Sequence, residues 1–431
     1  MNGESIINSV KKSELLRNTS ILISGTAAAQ LIPIFLQPVL RRYFPPEAFG
    51  AYSVYLSLVG ILAIISSFKY ELAIILPRND KEALNVLFLA LLINLVFNIL
   101  LAVIIISWKD ELIQFLNIKE QFSIYLYLVP VGIFFYSFYQ SINYWLVRKK
   151  GFFPISVNKF IRRGFEGIAQ LVFKFTKVFH GLIFGDLIGH IANIVSGIYQ
   201  GRKRGLSIQL ISKTKLKYVT IKYSEFPKVN VIPSFMSACS FLLPAILINK
   251  FYSSEYTGYF DLSKLLLSIP LALISTSISN VLLQSIAENF QNNRSLKKDL
   301  LLVFVIVSII GVVEILVIVF FGVSLFKLIF GEIWGFSGEI SKILVWAYAL
   351  NFFVASFSAI FISMNRIKLL SVWQIIYFIS ILSLILFRNS AFLDFLNVYV
   401  IIEVSCYIVM IIMMLSIVIT YEKKVKSIML R

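Results

Sequence analysis

Long apolar runs alternate with short polar connections along the whole chain. Twelve runs approach the ~20 mainly apolar residues that an α-helix needs to cross a bilayer core of about 30 Å. They lie at 19–40, 49–68, 83–108, 122–147, 152–173, 178–200, 229–250, 258–283, 299–324, 339–364, 369–387 and 395–420. Each is read as a membrane-crossing helix. The run at 152–173 departs most from the pattern because it carries charge. What remains is short connection, with no room for a soluble catalytic domain. The longest connection, Gly201–Lys228, is also the most basic.

The pattern also repeats. After the first run stands Arg42-Tyr43-Phe44-Pro45-Pro46-Glu47-Ala48-Phe49-Gly50, and after the seventh Lys250-Phe251-Tyr252-Ser253-Ser254-Glu255-Tyr256-Thr257-Gly258, at an offset of 208. A second echo links Phe134-Phe135, Arg148 and Lys150 to Phe352-Phe353, Arg366 and Lys368, at an offset of 218. Six runs followed by six with the same hydropathy indicate a duplicated half, and an even number per half makes the repeats parallel. The predicted fold is an all-α polytopic membrane protein. Twelve transmembrane helices form two pseudo-symmetric six-helix bundles around a central cavity, with halves at 1–215 and 216–431.

Composition agrees. The 431 residues are 58% hydrophobic and 14% charged, against about 45–50% and about 25% in soluble domains. Mean hydropathy is +0.85. A net charge of +18 in a soluble protein would suggest a nucleic-acid partner. Here it sorts by side. With the N-terminus placed in the cytoplasm and the run-end residues Lys250, Asp299, Glu339 and Lys342 counted with the adjoining connections, cytoplasmic connections hold 26 basic and 9 acidic residues, outer ones 10 and 8, and the spans 4 and 5. The positive-inside rule then puts both termini in the cytoplasm. The basic excess reflects topology, and no nucleic-acid partner is expected.

Cys239 and Cys406 lie within apolar runs, so no disulfide framework is expected. His180 and His190 form no metal-spaced cluster, and no phosphate-binding G-x-x-x-x-G-K-[ST] loop occurs. No metal, cofactor or direct ATP drive is expected. The first run reads as a retained span, since no small-residue cleavage site follows it.

The informative charges are those the hydrocarbon should exclude, because an ionised side chain at the bilayer centre costs a few kcal/mol. Lys159, Arg163, Glu166 and Gln170 recur at helical spacing on one face of the fifth run, with Arg162 four residues before Glu166 as a possible partner. The stripe is net positive and suits a water-filled cavity that attracts an anion. The competing reading is that Lys159–Arg163 snorkel and the span begins at Gly164. That would leave Lys174 and Lys177 in the hydrocarbon, which favours the cavity. Thr26, Gln30, Pro33 and Gln37 form a matching neutral stripe on the first run, as cavity lining or as ordinary interhelical bonding. Lys264 lies near the outer end of the eighth run, beside Asp261. It either pairs with that acid or faces the cavity. Asp186, Glu314 and Glu403 are isolated intramembrane acids and candidates for carrying a coupling ion, H⁺ or Na⁺.

Arg41-Arg42-Tyr43-Phe44-Pro45-Pro46-Glu47-Ala48-Phe49-Gly50-Ala51-Tyr52 resembles the polysaccharide-transport (Wzx-type) flippases of the multidrug/oligosaccharidyl-lipid/polysaccharide exporter superfamily. So do Tyr70–Pro77 with Lys81-Glu82-Ala83, Gly181–Gly189, and Phe330-Gly331-Glu332-Ile333-Trp334 leading to Gly338. The resemblance runs over nearly the whole chain. It implies a non-enzymatic, ion-coupled, alternating-access transporter in the bacterial inner membrane. The cargo would be a polyprenyl-pyrophosphate-linked oligosaccharide destined for O-antigen, lipopolysaccharide or capsule. A polysaccharide polymerase and chain-length proteins are candidate partners. Two alternatives stand beside it. A cation-coupled small-molecule exporter would keep the fold, but a basic cavity would repel cationic drugs. A membrane-embedded glycan polymerase or glycosyltransferase would need a large outer loop or a D-x-D-type pair, and the chain has neither.

Overall fold

A computed structural model describes residues 24–176 and 180–429. The start of the first span at 19–23, the start of the sixth at 178–179, and Lys11, Lys12, Arg17, Lys177 and Arg431 lie outside the described residues. Among the described residues the regular structure is helical throughout. In order these are α1 (24–41), α2 (Pro46–Ser66), α3 (Asp80–Ser107), α4 (Lys109–Leu116), α5 (Ile124–Arg148), α6 (Phe152–Phe175), α7 (Gly181–Arg202) and α8 (Lys213–Lys222). They continue with α9 (Glu225–Phe251), α10 (Ser254–Gln291), α11 (Lys297–Phe330), α12 (Gly335–Phe357), α13 (Ala359–Ser363), α14 (Ile367–Leu382) and α15 (Phe392–Met429).

Among the described residues all twelve expected runs fall on helices, and the chain is a multi-pass membrane protein. Ten of the helices are long and apolar enough to cross a bilayer by length and composition. The other two spans are α1 and α6, the latter carrying Lys159, Arg162, Arg163, Glu166 and Lys174. α4, α8 and α13 are short additional helices that the hydropathy pattern does not separate out.

Local signals set the boundaries. Pro46 starts α2 with its φ already helical and no N–H to waste. The Asn79 side chain caps α3 by accepting from the Glu82 amide at 2.8 Å, and Ser253 caps α10 by accepting from the Tyr256 amide at 3.2 Å. Glu47 and Glu255, matched by the offset of 208, each lie in the first turn of the second span of their half, where the helix dipole favours an acid.

The chain divides into two compact units, Met1–Ala238 and Cys239–Arg431, and the division falls inside α9. Within the first unit α5 is the hub, packing against α2, α3 and α7, while α6 packs on α7. Trp145 and Leu146 of α5 are completely buried. Within the second unit α12 is the hub, packing against α10, α11 and α15, while α14 packs on α15. The two halves therefore share one packing plan. α11 exposes Leu301, Val305, Ile309, Val312 and Phe320 along its length, as a helix facing lipid must.

The basic 201–228 connection is moored to the first unit. Val219 and Tyr223 pack with Tyr70, Leu84 and Leu87. Lys222 Nζ and the Tyr223 hydroxyl both donate to Glu82 Oε1, at 2.6 and 2.7 Å. Burial and the bond to Glu82 push the Tyr223 phenol up to about 12.

Candidate functional site

The charged face of α6 is held by glycines on α7. A β-carbon at Gly189 would stand 2.9 Å from the Arg162 carbonyl oxygen and 2.8 Å from the Glu166 β-carbon. One at Gly185 would lie 3.1 Å from the Gln170 amide nitrogen and the Glu166 carbonyl oxygen. The two backbones approach this closely because small residues line the seam. Asp186, between the two glycines, is thereby carried against α6.

The result is a network of ions. Arg163 Nη1 donates to both Glu166 oxygens, at 2.8 and 3.1 Å. Arg162 Nη2 donates to Asp186 Oδ1 at 3.2 Å, and its Nε stands 4.0 Å from Glu166. His190 Nε2 lies 3.6 Å from the same Asp186 oxygen. Asp186 and His190 are 1% and 2% exposed, and Asp186 Oδ2 and His190 Nδ1 are buried without a hydrogen-bond partner. Gln170 donates to the Leu182 carbonyl at 3.1 Å, a further stitch between the two helices. Lys159 Nζ donates to Thr26 of α1 at 2.9 Å. Two guanidiniums thus face two acids, with Lys159 one turn earlier on α6 and bonded to α1. The Arg162 and Arg163 side chains are 20% and 27% exposed.

A cavity of about 30 Å³ lies beside this network, lined by Gln37, Tyr52, Arg163, Glu166 and Gln170 among others. That is room for about one water. Gln37 also accepts from Arg41 Nε at 2.8 Å, and the buried Arg41 guanidinium stacks 3.9 Å over Phe49. Gln30 sits half-buried on the same helix.

The sequence stripe is therefore one cluster comprising Lys159, Arg162, Arg163, Glu166 and Gln170, with Gln37 at its edge. Three residues proposed from sequence lie in the second unit instead. Lys264 donates to the Phe241 carbonyl at 2.5 Å and sits 3.6 Å over that ring. Glu314 is half-buried on α11, with Oε2 lacking a hydrogen-bond partner. Glu403 accepts from the Tyr377 hydroxyl at 2.6 Å, and Tyr399 and Tyr407 also bring their hydroxyls to it.

Two details differ from the spacing argument. Arg162 donates its short bond to Asp186 rather than Glu166, because α7 presents a competing carboxylate and Arg163 already occupies both Glu166 oxygens. His190, which belongs to no metal-spaced cluster in the sequence, joins this one beside Asp186. The signal for it was present: Asp186 and His190 stand 217 residues before Glu403 and Tyr407, so both pairs occupy one position of the repeat.

The comparisons with known proteins agree with this fold. An inward-facing multidrug resistance MATE transporter of the MOP superfamily superposes with a TM-score of 0.72 at 16% identity, covering 91% of this chain and 96% of that one. The lipid II flippase MurJ in an inward closed conformation gives 0.72 at 14% identity, covering 95% and 92%. A MOP superfamily transporter from Pyrococcus furiosus Vc1, described as having a binding pocket of reverse polarity, gives 0.59 at 16% identity, covering 96% of both chains. At these identities the likeness is one of fold. No curated protein sequence matches. The family described as Polysaccharide biosynthesis protein matches residues 39–339, most of the chain. Helix order, packing plan and family match agree, and the chain belongs to the polysaccharide biosynthesis protein family, with a transporter fold of the MATE and MurJ type.

Proposed function

We propose that the protein is a flippase that carries polyprenyl-pyrophosphate-linked oligosaccharide repeat units across the bacterial inner membrane for O-antigen or capsule synthesis, by ion-coupled alternating access. The observation that carries this reading is the α6 cluster, where two partly exposed arginines pair with two buried acids and Lys159 lies one turn away on the same helix. Guanidinium forks match phosphate oxygens as well as carboxylates. A pyrophosphate entering beside α6 replaces Glu166 and Asp186 as partner of Arg163 and Arg162, and Lys159 adds a third positive charge. Gln170, Gln37 and Gln30 supply neutral hydrogen bonds for sugar hydroxyls, and Lys264 is proposed to serve the cargo from the second unit. The carboxylates so released are left to take up H⁺ or Na⁺, which ties cargo to ion movement. Asp186 is the first candidate for that exchange, with Glu314 and Glu403 as the others. The halves 1–215 and 216–431 are proposed to move against one another, with both termini cytoplasmic.

The test is the double substitution Arg162→Ala with Arg163→Ala in a strain that depends on this protein for its surface glycan. The expected outcome is loss of surface glycan while the protein still inserts, with drug susceptibility unchanged. Normal glycan in that strain overturns the assignment. A change in drug susceptibility without a glycan defect points to the small-molecule exporter reading.

A further inference from the structure

Away from the charged cluster, each unit contains an apolar cavity. In the first unit a cavity of about 550 Å³ opens between α3, α5, α7 and the connection after α7. In the second a cavity of about 390 Å³ lies between α11, α12, α13 and α15. These are corresponding places in the two halves, because four wall positions match across the repeat. Leu84 pairs with Leu301, Leu87 with Phe304 and Ile198 with Leu415 at an offset of 217, and Ile142 with Ile360 at 218.

Each cavity also has one base at its rim: Arg202 in the first unit, at the end of α7, and Lys297 in the second, at the start of α11. The bases come from different helices, Arg202 from the end of the sixth span of its half and Lys297 from the start of the third of its half, so four apolar wall positions follow the repeat while the positive charge does not. Both side chains are exposed, and among the described residues neither forms an ion pair with a carboxylate. The neighbours of Arg202 are otherwise engaged. Lys203 lies over Tyr199 at 4.3 Å, and Arg204 bonds Gln200 at 3.3 Å. Both rims belong to connections that the charge rule assigns to the cytoplasmic side.

We propose that each cavity is a binding site for one anionic phospholipid of the cytoplasmic leaflet, with an acyl chain in the cavity and the phosphate on the rim base. Several observations favour this occupant over the cargo's polyprenyl chain. There are two equivalent cavities for a single cargo, and each offers one positive charge, which suits a phosphodiester. At about 30 Å³ per small group the larger cavity holds on the order of eighteen such groups, the scale of one acyl chain. Basic pockets between membrane helices on this side of the bilayer are known recognition sites for anionic headgroups. The inference stands independently of which cargo the protein moves.

The experiment is native mass spectrometry of the full chain in detergent with equal amounts of phosphatidylglycerol and phosphatidylcholine. Two phosphatidylglycerol molecules are expected to be retained, with a preference over phosphatidylcholine of about fivefold per site, the value of one interfacial base. Arg202→Ala and Lys297→Ala are each expected to remove one retained molecule, and Arg202→Lys to keep it. Leu91→Trp, which fills the first cavity without touching charge, is expected to remove the same molecule as Arg202→Ala. Equal retention of both lipids, or a preference that survives the double alanine variant, overturns the proposal. Base-dependent retention of an added polyprenyl phosphate in place of phosphatidylglycerol also overturns it, and assigns the cavities to the cargo chain.

Discussion

Asp186 and Glu403 occupy the same position on the last span of each half, yet their neighbours differ in kind. On α7 the acid meets Arg162 and stands one turn before His190. On α15 it meets the phenols of Tyr377, Tyr399 and Tyr407, with Trp373 stacked on Tyr377 at 5.0 Å. The partner helix makes the difference. α6 carries Lys159, Arg162 and Arg163 in its first half, while α14 has Lys368 at its start and no charge through its interior. The acid is common to both halves, and the surroundings decide its chemistry. One is a network of paired charges, and the other is a carboxyl solvated by neutral hydroxyls.

That contrast can be broken by experiment. The largest effect is expected for Arg162→Ala, which strands Asp186 and should cost about 3–5 kcal/mol as a buried, unpaired charge. Thermal unfolding in detergent reads it, and adding Asp186→Ala should restore much of the loss. Independent, additive losses in the two single variants would mean that the pair is not coupled. Next is Gly189→Val. Its β-carbon meets the α6 backbone, and overpacking of this kind costs about 1–3 kcal/mol. The variant should disturb α6 against α7 and reduce transport even with every charge in place, and wild-type stability would refute the glycine seam. Tyr377→Phe removes one donor to Glu403, at a cost of about 1–2 kcal/mol. The smallest effect is expected for Glu403→Gln, within about 1 kcal/mol, because the amide oxygen still accepts from Tyr377. A loss as large as that of Arg162→Ala would show that the second acid works as an ion after all.

Much of this was legible in the residues. Twelve apolar runs became twelve helices because a bilayer leaves the backbone few alternatives. The Lys159–Gln170 stripe fell on one face because a 3.6-residue period places it there. The partner of Arg162 was not legible. Glu166 is its neighbour along the chain, whereas Asp186 reaches it only through the close approach of two backbones at Gly185 and Gly189. The lipid-sized cavities were likewise hidden, since their walls are ordinary Leu, Ile and Phe whose meaning appears only when three helices leave a gap.

The sequence by itself therefore determined where the long apolar helices lie, how their pattern repeats, and which charges would be dragged into the hydrocarbon. Those follow from local period and transfer free energy, which act on each segment alone. Only the tertiary structure decided which carboxylate each arginine meets, that His190 belongs with Asp186, and where packing leaves space. Those depend on distances between helices, set by glycines and side-chain volumes far apart in the chain, and no single segment contains them.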